Sequence, residues 1–61
     1  LTEGYEYYMM AVAAARVKDV QVMAVALQKA IQLDPQLKGM ASTDKEFYPY
    51  AQESIYLDIV D

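Results

Sequence analysis

The Asp34-Pro35 step constrains this chain more than any other pair of residues in it. Proline fixes its own φ, cannot donate into a helix interior, and pushes the preceding residue out of helical geometry. A helical pattern arriving at that step must end near Leu33. A new helix can begin at once, because proline suits the first helical position and Asp34 can cap it. One continuous helix is therefore excluded. The chain has to fold as shorter helices that cover one another.

The residues on either side fit that scheme. Tyr7, Met10, Ala11 and Ala14 recur at i, i+3, i+4 and i+7, which is one face of a helix over about residues 4–16. Thr2 is placed to cap it, and Glu3 and Glu6 lie in the first turn, where the dipole favours negative charge. Tyr5, Tyr8, Val12 and Ala15 form a second apolar stripe beside the first, so this helix is expected to be covered on more than one side. The pattern breaks at Arg16-Val17-Lys18, and Asp19 can cap the next helix, which the spacing extends to 33. Met23, Leu27, Ala30 and Ile31 form its inner face, while Val22 and Val25 are left over.

Beyond Pro35 a short third helix is predicted to about Ala41, weakened by Gly39 at about 1 kcal/mol relative to alanine. Thr43 and Glu46 have the spacing of a capping box, and Pro49 limits the turn that carries Phe47. In the tail, Ala51, Ile55 and Ile59 have helical spacing although "IYLDIV" also suits a strand; a terminal helix is the expectation. The fold class is all-α: an antiparallel helix-turn-helix hairpin with short C-terminal capping helices, in one domain over residues 1–61.

Composition narrows the functions open to such a fold. With 56% hydrophobic residues, two Gly and two Pro, the chain is too apolar to stay disordered. It has no Cys and no His, so a disulfide framework, a cysteine-ligated zinc site and histidine-activated nucleophilic catalysis all lack their residues. The five basic residues, Arg16, Lys18, Lys29, Lys38 and Lys45, are scattered against nine acidic ones, for a net charge of −4. Nucleic acid and anionic membrane surfaces both need a basic stripe, and there is none. The longest charge-free apolar run, Tyr7 to Ala15, is too short for a membrane span, which takes about 17–25 residues. No metal or organic cofactor is expected.

The carboxylate pairs Glu3/Glu6, Asp44/Glu46 and Asp58/Asp61 are read as helix-start and terminal charge, since no third polar group converges on any of them. Six tyrosines, in clusters at Tyr5/Tyr7/Tyr8 and Tyr48/Tyr50/Tyr56, are the most unusual count. Tyrosine buries a large apolar body behind a polar tip, so these serve either as core and cap or as a binding surface. Met10 and Met23 fall on the inner faces as core filling. Ser42 and Ser54 have no activating partner.

The hairpin resembles a tetratricopeptide repeat. Laid without gaps on that family's pattern, the repeat runs over residues 4–37, with its aromatic on Tyr7, its Leu-Gly pair on Met10-Ala11, its second aromatic on Ala14, its helix B positions on Met23, Leu27 and Ala30, and its closing Asp-Pro on Asp34-Pro35. Met23 is large and Ala14 small against that pattern, and Lys18 stands where the family has a turn glycine. "LKGMASTDKEFYPY", residues 37–50, resembles the tail that closes many bacterial repeat arrays, and residues 38–61 are read as the C-terminal cap. Leu37, Met40, Phe47 and Tyr48 are suited to fold back as a lid over the last apolar face.

The resemblance implies a non-enzymatic protein–protein interaction scaffold from the C-terminal end of a longer bacterial protein, one whose parent can sit in the bacterial envelope; the start on Leu1 rather than Met agrees with an excerpt. It implies that Tyr5, Tyr8, Val12 and Ala15 line a concave surface for a protein or peptide partner, or for upstream repeats of the parent chain. The alternative is a structural capping or homodimerisation segment with no external ligand. The tail is expected to cover the second helix, leaving the Tyr5/Tyr8 side open.

Overall fold

The computed structural model describes residues 3–60. They form an all-α fold in the order α1 (Glu3–Arg16), α2 (Val20–Leu33), α3 (Gln36–Thr43), a 3-10 helix (Lys45–Tyr50) and α4 (Ser54–Val60), with no strand among the described residues. Thr2, the expected first cap, lies outside them.

The first two helices pack as an antiparallel hairpin, because small residues sit wherever the backbones meet. Ala11 and Ala30 are fully buried along the seam. At the open end, Gly4 faces the end of α2 so closely that a Cβ there would stand 3.0 Å from Asp34 Cβ and 3.2 Å from the Ala30 carbonyl oxygen. Met23 and Leu27, also fully buried, supply the bulk that those small residues leave room for.

The hairpin turn explains what Lys18 does in place of glycine. Its φ is 63°, in the left-handed region. The Lys18 N–H donates to the Ala15 carbonyl at 3.2 Å and the Asp19 N–H to the Ala14 carbonyl at 2.9 Å, the paired bonds of a Schellman closure. Asp19 then caps α2, its Oδ1 accepting from the Val22 N–H at 3.2 Å. A non-glycine residue strains this conformation through its Cβ. Lys18→Gly is therefore expected to stabilise the fold by about 1 kcal/mol, after allowance for the greater freedom of glycine when unfolded. Urea denaturation checks this: the midpoint should rise at constant slope, and a lower midpoint would contradict the left-handed turn.

At the proline step the chain behaves as its chemistry requires. The Asp34 N–H closes α2 on the Ala30 carbonyl at 2.9 Å, and its Oδ1 accepts from the Gln36 N–H at 3.2 Å to start α3. The expected Thr43/Glu46 capping box does not form. Thr43 stays inside α3, and its hydroxyl donates back to the Met40 carbonyl at 3.3 Å. Asp44 takes the cap, accepting from the Glu46 N–H at 3.0 Å, and Glu46 turns to Arg16 instead. An aspartate one residue nearer the new helix outcompetes the threonine, whose hydroxyl already has a carbonyl to bond.

Residues 44–60 fold back over the hairpin as a lid. Phe47 is fully buried, with Leu37, Tyr50 and Tyr56 also inside, while Ile59 is half-buried. Two of the expected lid residues differ: Met40 and Tyr48 are exposed. Tyr50 is used instead of Tyr48, because in the tight 3-10 helix these neighbours two apart point to different sides.

Candidate functional site

Which face of α1 the lid covers decides where a partner could bind. Tyr8 is 2% exposed, and Val12 and Ala15 are buried with it. Phe47 meets the Tyr8 ring edge-on, with centroids 5.7 Å apart at 86°, and Tyr56 continues the cluster at 5.9 Å from Phe47. Such pairs add stabilisation beyond the area they bury.

The polar tips are all satisfied. The Tyr8 hydroxyl donates to Asp44 Oδ2. The Tyr50 hydroxyl donates to the Ala15 carbonyl and the Tyr56 hydroxyl to the Ala41 carbonyl, both at 2.8 Å and buried. Burial raises the Tyr8 phenol far above its ordinary value, and the bond to Asp44 raises it further; Tyr56 is raised too, first by burial. Both therefore stay neutral donors. At the lid's outer edge the Arg16 guanidinium grips Glu46 with both prongs, Nε to Oε1 at 3.0 Å and Nη2 to Oε2 at 2.8 Å. That fork lowers the Glu46 carboxyl and raises Arg16.

The sequence-based surface is thereby corrected. Of Tyr5, Tyr8, Val12 and Ala15, the last three are core residues beneath the chain's own lid, and only Tyr5 reaches solvent, its ring stacked on Tyr8 at 6.3 Å. The Tyr5/Tyr8 side is the covered side. The other stripe shifts with it: Ala11 and Ala14 face inward as expected, but Tyr7 is half-buried and Met10 is 53% exposed.

The open apolar surface lies on the opposite flank of the hairpin. Tyr7 and Met10 from α1 and Val22, Val25 and Ala26 from α2 line a groove of about 450 Å³, edged by Gln21 and Lys29. Val22 is 46% and Val25 69% exposed. A separate, smaller hollow at the α1 N-terminal end is lined by Glu3 and Glu6 with the same Tyr7 and Met10. Periodicity had marked Val22 and Val25 as left over from the inner face; Met10 was the residue it missed. Hydrocarbon, thioether and one phenol ring can hold an apolar face but supply no proton relay or ligand set. Among the described residues, no group of acidic side chains could hold a metal ion and no helix is long and apolar enough to cross a membrane.

Compared with protein-family models, with curated proteins and with solved structures, the chain shows no match.

Proposed function

We propose that this chain is a non-enzymatic protein–protein interaction module, a tetratricopeptide-like helical unit of bacterial type that binds through the groove between α1 and α2. One observation carries the reading: the groove keeps Met10, Val22 and Val25 in water although the chain has a tail long enough to cover a face. The tail covers the Tyr8 face of α1 and, through α4, another side of α2. Contiguous apolar patches are uncommon on soluble monomers and mark interfaces.

The alternative, a structural end cap for upstream repeats or a homodimer, draws on the same asymmetry. A unit closed by its own lid on one side and apolar on the other has the shape of the end of a stack. A neutral probe tests the groove. A Leu/Ala/Gln helical peptide should bind the 61-residue chain saturably in fluorescence anisotropy. A Met10→Gln, Val22→Gln, Val25→Gln variant should keep its helical circular dichroism and lose the peptide at least about tenfold, three apolar contacts being removed. Unfolding of that variant would assign these side chains to the core. Undiminished binding would place the interface elsewhere.

A further inference from the structure

Resting on the reading of the α1–α2 groove as an interface, we infer that its occupant is a second copy of this chain, related by a two-fold axis along α2. Val25 of each copy enters the groove of the other, and Met10 of each enters a second hollow beside it.

The surface has a ridge with a hollow on either side. Val25, 69% exposed, stands on the outer side of α2 and lines both hollows. One hollow is the α1–α2 groove. The other, of about 320 Å³, lies between α2 and α4, where Gln28, Ile55 and Ile59 line it. Gln21, Val25 and Lys29 follow one another at i, i+4 and i+8, the row that packs as a ridge into a neighbour's groove. A copy turned over about an axis along α2 meets the first with left and right exchanged. Its ridge then lies in the α1–α2 groove, and its α1, with the exposed Met10, lies in the α2–α4 hollow. A single foreign helix in the groove would leave the second hollow and the exposed Ile55 in water. A second copy covers both. The area suffices too: a standard interface takes about 800 Å² per partner, about a fifth of the 4162 Å² this chain exposes, which is one side of so small a molecule.

Charge favours a second copy in particular. Among the described residues, Lys29 is the one charged residue lining the α1–α2 groove and Asp58 the one lining the α2–α4 hollow. Both are exposed, and neither has an ion-pair partner among the described residues. The two signs therefore lie on opposite sides of the ridge. Exchanging left and right brings the Asp58 side of one copy to the Lys29 side of the other, and the two-fold axis makes the match twice. Complementary charge of this kind fixes register and selects the partner. Apart from Lys29, α2 carries no charge, so the ridge itself offers no acid to repel its counterpart despite a net charge of −4 on each chain. Glu3 and Glu6 lie in the separate hollow at the α1 N-terminal end.

Sedimentation equilibrium of the 61-residue chain should show a monomer–dimer equilibrium. Val25→Gln alters a side chain that is exposed in the monomer, so it should keep the helical circular dichroism and weaken the dimer at least about tenfold. Lys29→Glu should weaken it about fivefold at low salt, because two exposed pairs become repulsive, and Asp58→Lys should do the same. Combined in one chain, the two charge changes exchange the signs and should restore the dimer. A combined variant no tighter than the single ones would overturn the two-fold pairing, and a dimer indifferent to Val25→Gln would place the contact on another face. A chain that stays monomeric at its highest soluble concentration would overturn the second copy as occupant. Should that monomer still bind the neutral helical peptide, the groove serves a foreign partner; should it bind neither, the interface reading falls as well.

Discussion

Phe47→Ala should cost about 3–5 kcal/mol, the range for removing a fully buried phenylalanine. A chain of this size has only about 3–9 kcal/mol in total. The loss therefore approaches the whole stability of the fold. Phe47 meets both the Tyr8 ring on α1 and the Tyr56 ring on α4. Deleting it removes the central apolar contact between the lid and the hairpin and leaves a void between two rings that are themselves pinned by hydroxyl bonds to Asp44 and the Ala41 carbonyl. Those bonds prevent the rings from collapsing into the space, so the cavity is kept open and its cost is high. Thermal unfolding by circular dichroism reads the effect. A change under 1 kcal/mol would mean that the lid contributes little to folding.

Ala30→Leu should cost about 1–3 kcal/mol by overpacking. Ala30 is fully buried, and its carbonyl lies where Gly4 of α1 comes closest to α2. Three added carbons have no cavity to enter. They can be accommodated only if the helices separate, which also opens the Ala11 contact further along the seam. An Ala30→Ser exchange, far smaller in volume, should cost less. Denaturant midpoints for the two variants check the order, and equal midpoints would show that the seam tolerates volume.

The parts of the fold that were legible in the sequence are those with a strong local cause. Pro35 ends α2 because no neighbour can restore its missing N–H, and Asp19 caps α2 because a short carboxylate beside a helix start has one good use. Ala30 and Ala11 were identifiable as seam residues from their periodicity combined with their size. Phe47 stood out as a lid residue because a lone phenylalanine after a helix break has to find a core.

The facing of α1 was not legible, and the reason is physical. Tyr7/Met10/Ala11/Ala14 and Tyr5/Tyr8/Val12/Ala15 are both apolar stripes, so nearly the whole circumference can be buried and periodicity does not rank one stripe above the other. Tyr8 is the inner one because it finds Asp44, 36 residues away, for its hydroxyl. No local window contains both residues. Met10, flexible and tolerant of water, was left on the outside. The cap at Asp44 was missed for a similar reason: Thr43 matches the capping-box spacing, but its role was decided by α3 running two residues past Ala41.

The lid seals the Tyr8 face of α1, and the Met10/Val25 face stays open. Hydroxyl-radical footprinting of the chain, at a concentration where sedimentation shows a monomer, measures this residue by residue when like side chains are compared. Met10 should oxidise rapidly and Met23 slowly; Tyr48 should be labelled and Tyr8 protected. Tyr8 labelled as fast as Tyr48, with Met10 as protected as Met23, would contradict this arrangement and put the open apolar face on the opposite side of α1.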